Sequence, residues 1–528
     1  MFLTSNCLSQ PTYNGYPWGK ADPAAGVPPN TGITRNYEWT ISRGYKSPDG
    51  YNKSVILIND QFPGPTLEAN WGDTIQVRVT NNIDVDMEEG VTVHWHGLTQ
   101  KKTPWFDGVP GVSQCPIAPC TTFTYTFQAD QYGTSWYHSH YSSQYNDGAF
   151  GPIVIFGPLQ TGVKYDYDLG PVIVSDYVHE NYYTQLQNVF QLPPVFPNID
   201  NNLINGKGIF DCSLVTDGTA CQSNAGLSKF NFETGKTYRL RLINASGASN
   251  QKFSIDNHTL TVIANDFVPV NPYQTKVVTL GIGQRTDVLV TATGGAKDAV
   301  WMRSDIDTDC LNTTSSNPHG LAAIYYPLAD PSSVPTTTAT AWSSNNCRND
   351  PLSQTVPFYP STPPATVATS QDVVITLGLN STGHIVFFVD GSSFRTNYNS
   401  PILLLANQGN TSYPYSPEWN VYNFGSNSSV RIILKNTYPM QHPMHLHGHN
   451  FWVLNEGVGE WDNTIVNPSN PQRRDTHIVQ PGSVDNPSFV VFEWLQDNPG
   501  VWPFHCHTSI HVSVGLYLTV LVSGVMIV

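Results

Sequence analysis

Apolar and polar residues alternate along short stretches of this chain, and the stretches are bounded by turn-forming residues, the pattern of half-buried β-strands. Such strands are predicted at 55–58, 123–127, 153–155, 172–174, 288–290 and 373–375, and no long helical periodicity competes with them. One pattern recurs. GDTIQVRVTN at 72–81, GKTYRLRLIN at 235–244 and NSSVRIILKN at 427–436 each open on a turn residue, alternate, and close on Asn. Copies a domain's length apart indicate repeated domains rather than a solenoid. The expected organisation is therefore three β-sandwich domains at 1–160, 161–330 and 368–528. A Pro/Ser/Thr-rich linker is expected over 331–367.

Composition agrees. At 528 residues the chain is long enough for about three domains of ~150 residues. Hydrophobic residues make up 39%, enough for cores, and 41 Gly and 40 Pro suit a turn-rich β protein. A formal charge of -15 argues against nucleic acid as a partner, because phosphates need basic patches. No apolar run reaches the ~18 residues of a membrane-spanning helix, and residues 1–10 lack the basic start and long apolar region of a secretory signal. N-x-S/T acceptor triplets nevertheless occur at Asn52, Asn244, Asn257, Asn312, Asn380, Asn410 and Asn427, and the expectation is an extracellular, secreted glycoprotein.

The histidines change the picture. Four His-x-His pairs occur: His94/His96, His138/His140, His445/His447 and His505/His507. Residues two apart on a strand share a face, so each pair can aim two imidazoles into one site. One such pair is weak evidence; four are not. Two lie in the first repeat domain and two in the third, so the simplest geometry joins those domains with eight imidazoles at their interface. That donor set suits several copper ions better than one zinc, which takes four ligands.

Cys506 stands between His505 and His507, and strand alternation sends its sulfur to the opposite face. With His442 and His511 nearby it forms the thiolate and two-imidazole set of a blue-copper centre, while Leu516, where an axial Met often sits, cannot coordinate. Copper at Cys506 is thus joined to the cluster through one residue of backbone on either side. His449 is read as structural or supporting, and His179, His258, His319, His384 and His477 as surface or packing residues. Removing Cys506 leaves seven cysteines, an odd number; Cys212 with Cys221 and Cys310 with Cys347 are the expected disulfides.

At these residues the sequence resembles fungal laccases of the multicopper oxidase family. HWHG at 94–97, WYHSHYSSQYNDG at 136–148, HPMHLHGH at 442–449 and HCHTSIHVSVGL at 505–516 match the family's four copper motifs in order. QFPGPTLEANWGD at 61–73, DGVPGVSQCPIAP at 107–119, LINGKG at 203–208 and GQRTDVLV at 283–290 extend the likeness over about 34–516. The resemblance implies an all-β fold of three cupredoxin-like Greek-key β-sandwich domains and four copper ions: one type 1, one type 2 and two type 3. It makes His442, Cys506 and His511 the type 1 ligands, and His94 and His445 the type 2 ligands. His96, His138 and His507 would hold one type 3 copper, and His140, His447 and His505 the other. It also makes His511 the point where electrons enter and Asp107 an acid assisting proton delivery to the oxygen site.

The implied partners are phenolic or aromatic small-molecule reductants and dioxygen, with no nucleic acid and no membrane, acting on a monomer. Laccases of ascomycetes continue further, with a cysteine bonded to the equivalent of Cys115; this sequence ends at Val528 without one, so Cys115 is expected unpaired or bonded to Cys120 or Cys7. The rival readings are ascorbate oxidase, which Leu516 disfavours, ferroxidase, for which 508–510 supply no carboxylate, and a non-catalytic copper-binding protein.

Overall fold

A computed structural model describes residues 23–24, 26–84, 88–311, 313–409 and 417–522. Its strands assemble into three two-sheet sandwiches, with strand residues inside 34–156, 167–325 and 369–522. The fold is all-β, as the alternation predicts.

The sequence repeat is one structural unit used three times. Its strands are Thr74–Asn81, Thr237–Asn244 and Ser429–Asn436. Each runs parallel to the first strand of its sandwich, which is Thr34–Lys46, Tyr167–Tyr177 or Thr369–Leu379. Each also runs antiparallel to a later one, Thr122–Gln128, Arg285–Thr291 or Ser488–Leu495. Parallel neighbours cannot be joined by a tight hairpin. All three domains solve this identically: the chain crosses to the opposite sheet for a short strand (Leu67–Asn70, Ser228–Asn231, Val421–Asn423) and then returns.

The closing asparagine of the repeat has a physical reason. Asn81, Asn244 and Asn436 are buried. In each, the side-chain amide donates to two backbone carbonyls and its oxygen accepts the N–H two residues on. This one side chain satisfies the backbone where the strand stops. Asn244 is therefore corrected as a glycan acceptor, since its amide is buried and occupied by the carbonyls of Ser249 and Leu280. Leaving a buried polar group unpaired costs about 1–3 kcal/mol. Asn244→Ala is accordingly expected to lower the denaturant midpoint measurably; an unchanged midpoint would contradict this role.

Alternation does not always mean exposure. In the middle domain Arg239 and Arg241 occupy the polar positions of the repeat strand yet are buried, because that face packs on the first domain. Arg241 pairs with Asp168 at 2.7 Å and donates to Thr134 of the first domain at 2.9 Å. The segment between Tyr325 and Thr369 has no strand but is packed: Leu352 and Asn349 are buried, and Asn349 bonds both Gln284 and the Ile478 amide.

The disulfides Cys212–Cys221 and Cys310–Cys347 are formed. Cys115 and Cys120 are exposed free thiols, so they are not bonded to each other; Cys7, Asn312 and Asn410 lie outside the described residues. No helix among the described residues is long and apolar enough to cross a membrane.

Candidate metal centre

The strand register delivers the first imidazole of each pair, whereas His96, His140, His447 and His507 lie just past the strand ends, not within the strands as the spacing predicts. Strand His442–Leu446 pairs antiparallel with Gly500–Cys506, placing His445 opposite His505 and Met444 opposite Cys506. Alternation then separates two faces. Met444, Leu446, Phe504 and Cys506 enter the core of the third domain, whereas His445 and His505 point the other way, toward the first domain. There, His94 pairs with His138 across strands, and Trp95 and Tyr137 fill the core behind them. The glycine after two of the pairs is required by geometry. Gly97 and Gly448 have φ of +79° and +71°, and a Cβ at Gly97 would lie 2.5 Å from an Asp475 carboxylate oxygen.

The eight paired histidines converge. Nε2 of His505 lies 3.0 Å from Nε2 of His447 and 3.3 Å from Nε2 of His140. Nε2 of His507 lies 3.2 Å from Nδ1 of His96. Ring nitrogens of His94, His96 and His138 fall within 4.8 Å of one another, as do those of His94, His445 and His447. The opposite ring nitrogens are held by the protein. Nδ1 of His94 faces the Asp107 carbonyl at 2.8 Å, that of His138 the Ser139 carbonyl at 2.9 Å, and that of His445 the Asp475 carbonyl at 2.8 Å. Nδ1 of His447 faces Asp107 Oδ2 at 2.9 Å, and that of His505 the Cys506 carbonyl at 2.8 Å. An imidazole donating through Nδ1 presents a bare lone pair at Nε2.

A second group forms behind the strand. Cys506 Sγ is 3.7 Å from Nδ1 of His442 and 3.5 Å from Nδ1 of His511, and the Thr508 amide donates to it at 3.4 Å. Leu516 is buried and tied to this loop: its amide donates to the His511 carbonyl, and its carbonyl accepts from the Cys506 amide. The Phe387 ring packs on His511 with centroids 4.7 Å apart.

These residues fit a soft or borderline cation. Nε2 of His94, His138 and His445 is buried with no hydrogen-bond partner, and elsewhere lone pair faces lone pair; a cation between them resolves both. Burial, reinforced by neighbouring imidazoles, holds His96, His138, His140, His442, His445, His447 and His507 well below the usual histidine range. Burial first of all brings His505 down to about 4, and burial brings His511 down to about 3. All are then neutral donors near neutrality. Burial pushes the Cys506 thiol up to about 12, so a metal must displace its proton to bind the thiolate. Imidazoles with one thiolate are the donor set copper prefers.

Sequence-family models described as multicopper oxidase match residues 40–160, 168–327 and 395–524. The chain belongs to the multicopper oxidase family.

Among its relatives, an oxidoreductase (OpS5) of Beauveria bassiana is 39% identical over 93% of this chain and 82% of that protein. Laccase-2 of Botryotinia fuckeliana is 38% identical over the same shares. The crystal structure of the laccase from Botrytis aclada is 34% identical, covers 99% of this chain and 93% of its own, and superposes with a TM-score of 0.87. The three sandwiches are thus the domains of a laccase-like multicopper oxidase, and copper is the metal the family implies.

In this multicopper oxidase the isolated histidines stand apart from both groups. His477 is buried against Glu456 at 2.9 Å, His449 against the His447 carbonyl, and His179 is stacked on Tyr51. Sequence reasoning missed Asp475 and Arg285. Both are buried, and Asp475 Oδ1 lies 3.2 Å from Nε2 of His96. The available signal was QRRDTHIV at 472–479, where three adjacent charges sit in a strand pattern and need buried partners. A cavity of about 290 Å³ between the domains is lined by Val109, His140, Ser142, Phe190, Tyr398 and Tyr517.

Proposed function

We propose that this laccase-like oxidoreductase takes electrons singly from phenolic and aromatic reductants beside His511 and uses them to reduce dioxygen to water among the eight paired imidazoles. The type 1 copper would be held by His442, Cys506 and His511, the type 2 copper by His94 and His445. One type 3 copper would be held by His96, His138 and His507, the other by His140, His447 and His505. Copper supplies one-electron redox chemistry at the thiolate and multi-electron chemistry at the cluster.

The observation that carries this reading is Cys506. Its sulfur lies with His442 and His511 on one side of a strand, while the flanking His505 and His507 reach the cluster on the other. Electrons accepted one at a time thereby have a covalent path to a site needing four. Asp107 supports the proton half of the balance. Its Oδ2 holds His447, its Oδ1 is buried 3.3 Å from Nδ1 of His94, and burial raises its carboxyl above the usual range. This carboxylate is the group that takes up and gives back a proton. The cavity lined by His140 is the space through which dioxygen would reach the cluster and water leave it. The disulfides and acceptor asparagines suit an extracellular protein.

The test is copper content, the blue absorption band, and oxygen uptake with a phenol compared against ascorbate and ferrous iron. Uptake highest with ferrous iron or ascorbate, or none at all in copper-loaded protein, would reject the reading. Leu516→Met is expected to lower the reduction potential of the blue site, because an axial thioether stabilises the oxidised state. No shift on voltammetry would refute the axial placement.

A further inference from the structure

The middle sandwich carries none of the paired histidines, yet its turn at 283–285 is seated against the cluster. Gly283 has φ of +82°, and a Cβ there would lie 2.8 Å from His507 Cδ2 and 3.0 Å from His96 Cε1. Gln284 donates to the Thr476 carbonyl at 2.9 Å. Arg285 is buried and grips Asp475 with two bonds, Nη1–Oδ1 at 2.7 Å and Nη2–Oδ2 at 2.6 Å. Asp266 contacts Arg285 at 3.3 Å and Arg474 at 3.0 Å, so two guanidiniums balance two carboxylates.

Of the two paired histidines this network reaches, His445 meets it through Nδ1, 3.5 Å from Asp475 Oδ1 and 3.1 Å from Thr476 Oγ1, and the other is His96. Its Nε2 faces Asp475 Oδ1 at 3.2 Å and Thr476 Oγ1 at 3.1 Å, and its Nδ1 faces His507. It is therefore turned the opposite way from His94, His138, His445, His447 and His505. A hydrogen bond at one ring nitrogen decides which nitrogen is left to bind metal. We infer that the Gly283-Gln284-Arg285 turn of the middle domain is the positioning element of the cluster, with Arg285 orienting Asp475 so that His96 presents Nδ1. The inference rests on the copper reading above.

Arg285→Lys decides it. Lysine keeps a buried positive charge between Asp266 and Asp475 but loses the two-pronged grip. The holoenzyme variant is expected to keep the blue band and the potential of the thiolate site. It should release the cluster copper to a chelator at about 10–100-fold lower chelator concentration than the parent, with an altered type 2 copper EPR signal. Gly283→Ala, acting sterically on His96 and His507, should perturb the same signal. Arg303→Lys, at the Arg303–Asp256 pair elsewhere in that domain, should leave it unchanged. Unchanged chelator resistance and EPR in Arg285→Lys would overturn the inference. Loss of the blue band together with the cluster signal would overturn it too, showing that Arg285 holds the fold instead. If the unmutated protein takes up no copper, the underlying reading fails first, and the two failures are distinct.

Discussion

Cys506→Ser is expected to abolish the blue absorption band and to reduce oxidation of phenols by more than the ~10–100-fold that loss of an outer-shell partner costs a metal site. The sulfur is the only thiol in either group and lies 3.5–3.7 Å from two imidazole nitrogens whose opposite faces are packed in protein. A serine hydroxyl is a hard, weakly acidic donor that copper prefers far less than a thiolate. The substitution is nearly isosteric, and the Thr508 amide that faces the sulfur at 3.4 Å can donate to the new oxygen. The fold should persist, at a cost of about 1–3 kcal/mol for the polar atom introduced into an apolar core. The imidazole cluster should persist as well, because His505 and His507 leave the opposite side of the strand. The expected product is a colourless protein that keeps its type 2 copper EPR signal. A blue band in this variant would show that the electron-entry site lies elsewhere.

Asp107→Asn is expected to separate electron entry from oxygen reduction. Substrate should still bleach the blue band at the unmutated rate, while steady-state oxygen uptake falls by about 10²–10⁴, the range of a lost acid–base group. The amide keeps an oxygen for the His447 Nδ1–H, and the backbone carbonyl of residue 107 still accepts from His94, so both imidazoles remain held. What disappears is the carboxylate that can take up a proton beside His94 and His447. Stopped-flow bleaching under anaerobic conditions, set beside oxygen consumption, checks both halves. Equal losses in the two rates would place Asp107 in the packing of the site rather than in proton supply.

Much of this protein was legible in the sequence because the strand has a period of two. Alternation marked the strands, and the same geometry placed His445 and His505 on one face and Cys506 on the other; the second histidine of each pair lies just past its strand, where the turn sets its direction. The repeat closing on Asn marked the three sandwiches, since one amide with two donors and an acceptor ends the same strand three times. Spacing made Cys212–Cys221 and Cys310–Cys347 plausible pairs, and the fold closes both, the second tying the middle domain to the segment that follows it.

Tertiary structure alone decided the rest. That Asn244 bonds backbone rather than carrying a glycan, and that Arg239 and Arg241 are buried, follow from neighbouring segments no local pattern encodes. Asp475 and Arg285 stand 190 residues apart and meet at the boundary of two sandwiches beside His96. The physical reason is one of range. Strand pleat and turn chemistry act over a few residues and are written locally. A buried charge is permitted only by the partner that neutralises it, and that partner is chosen by how the domains pack.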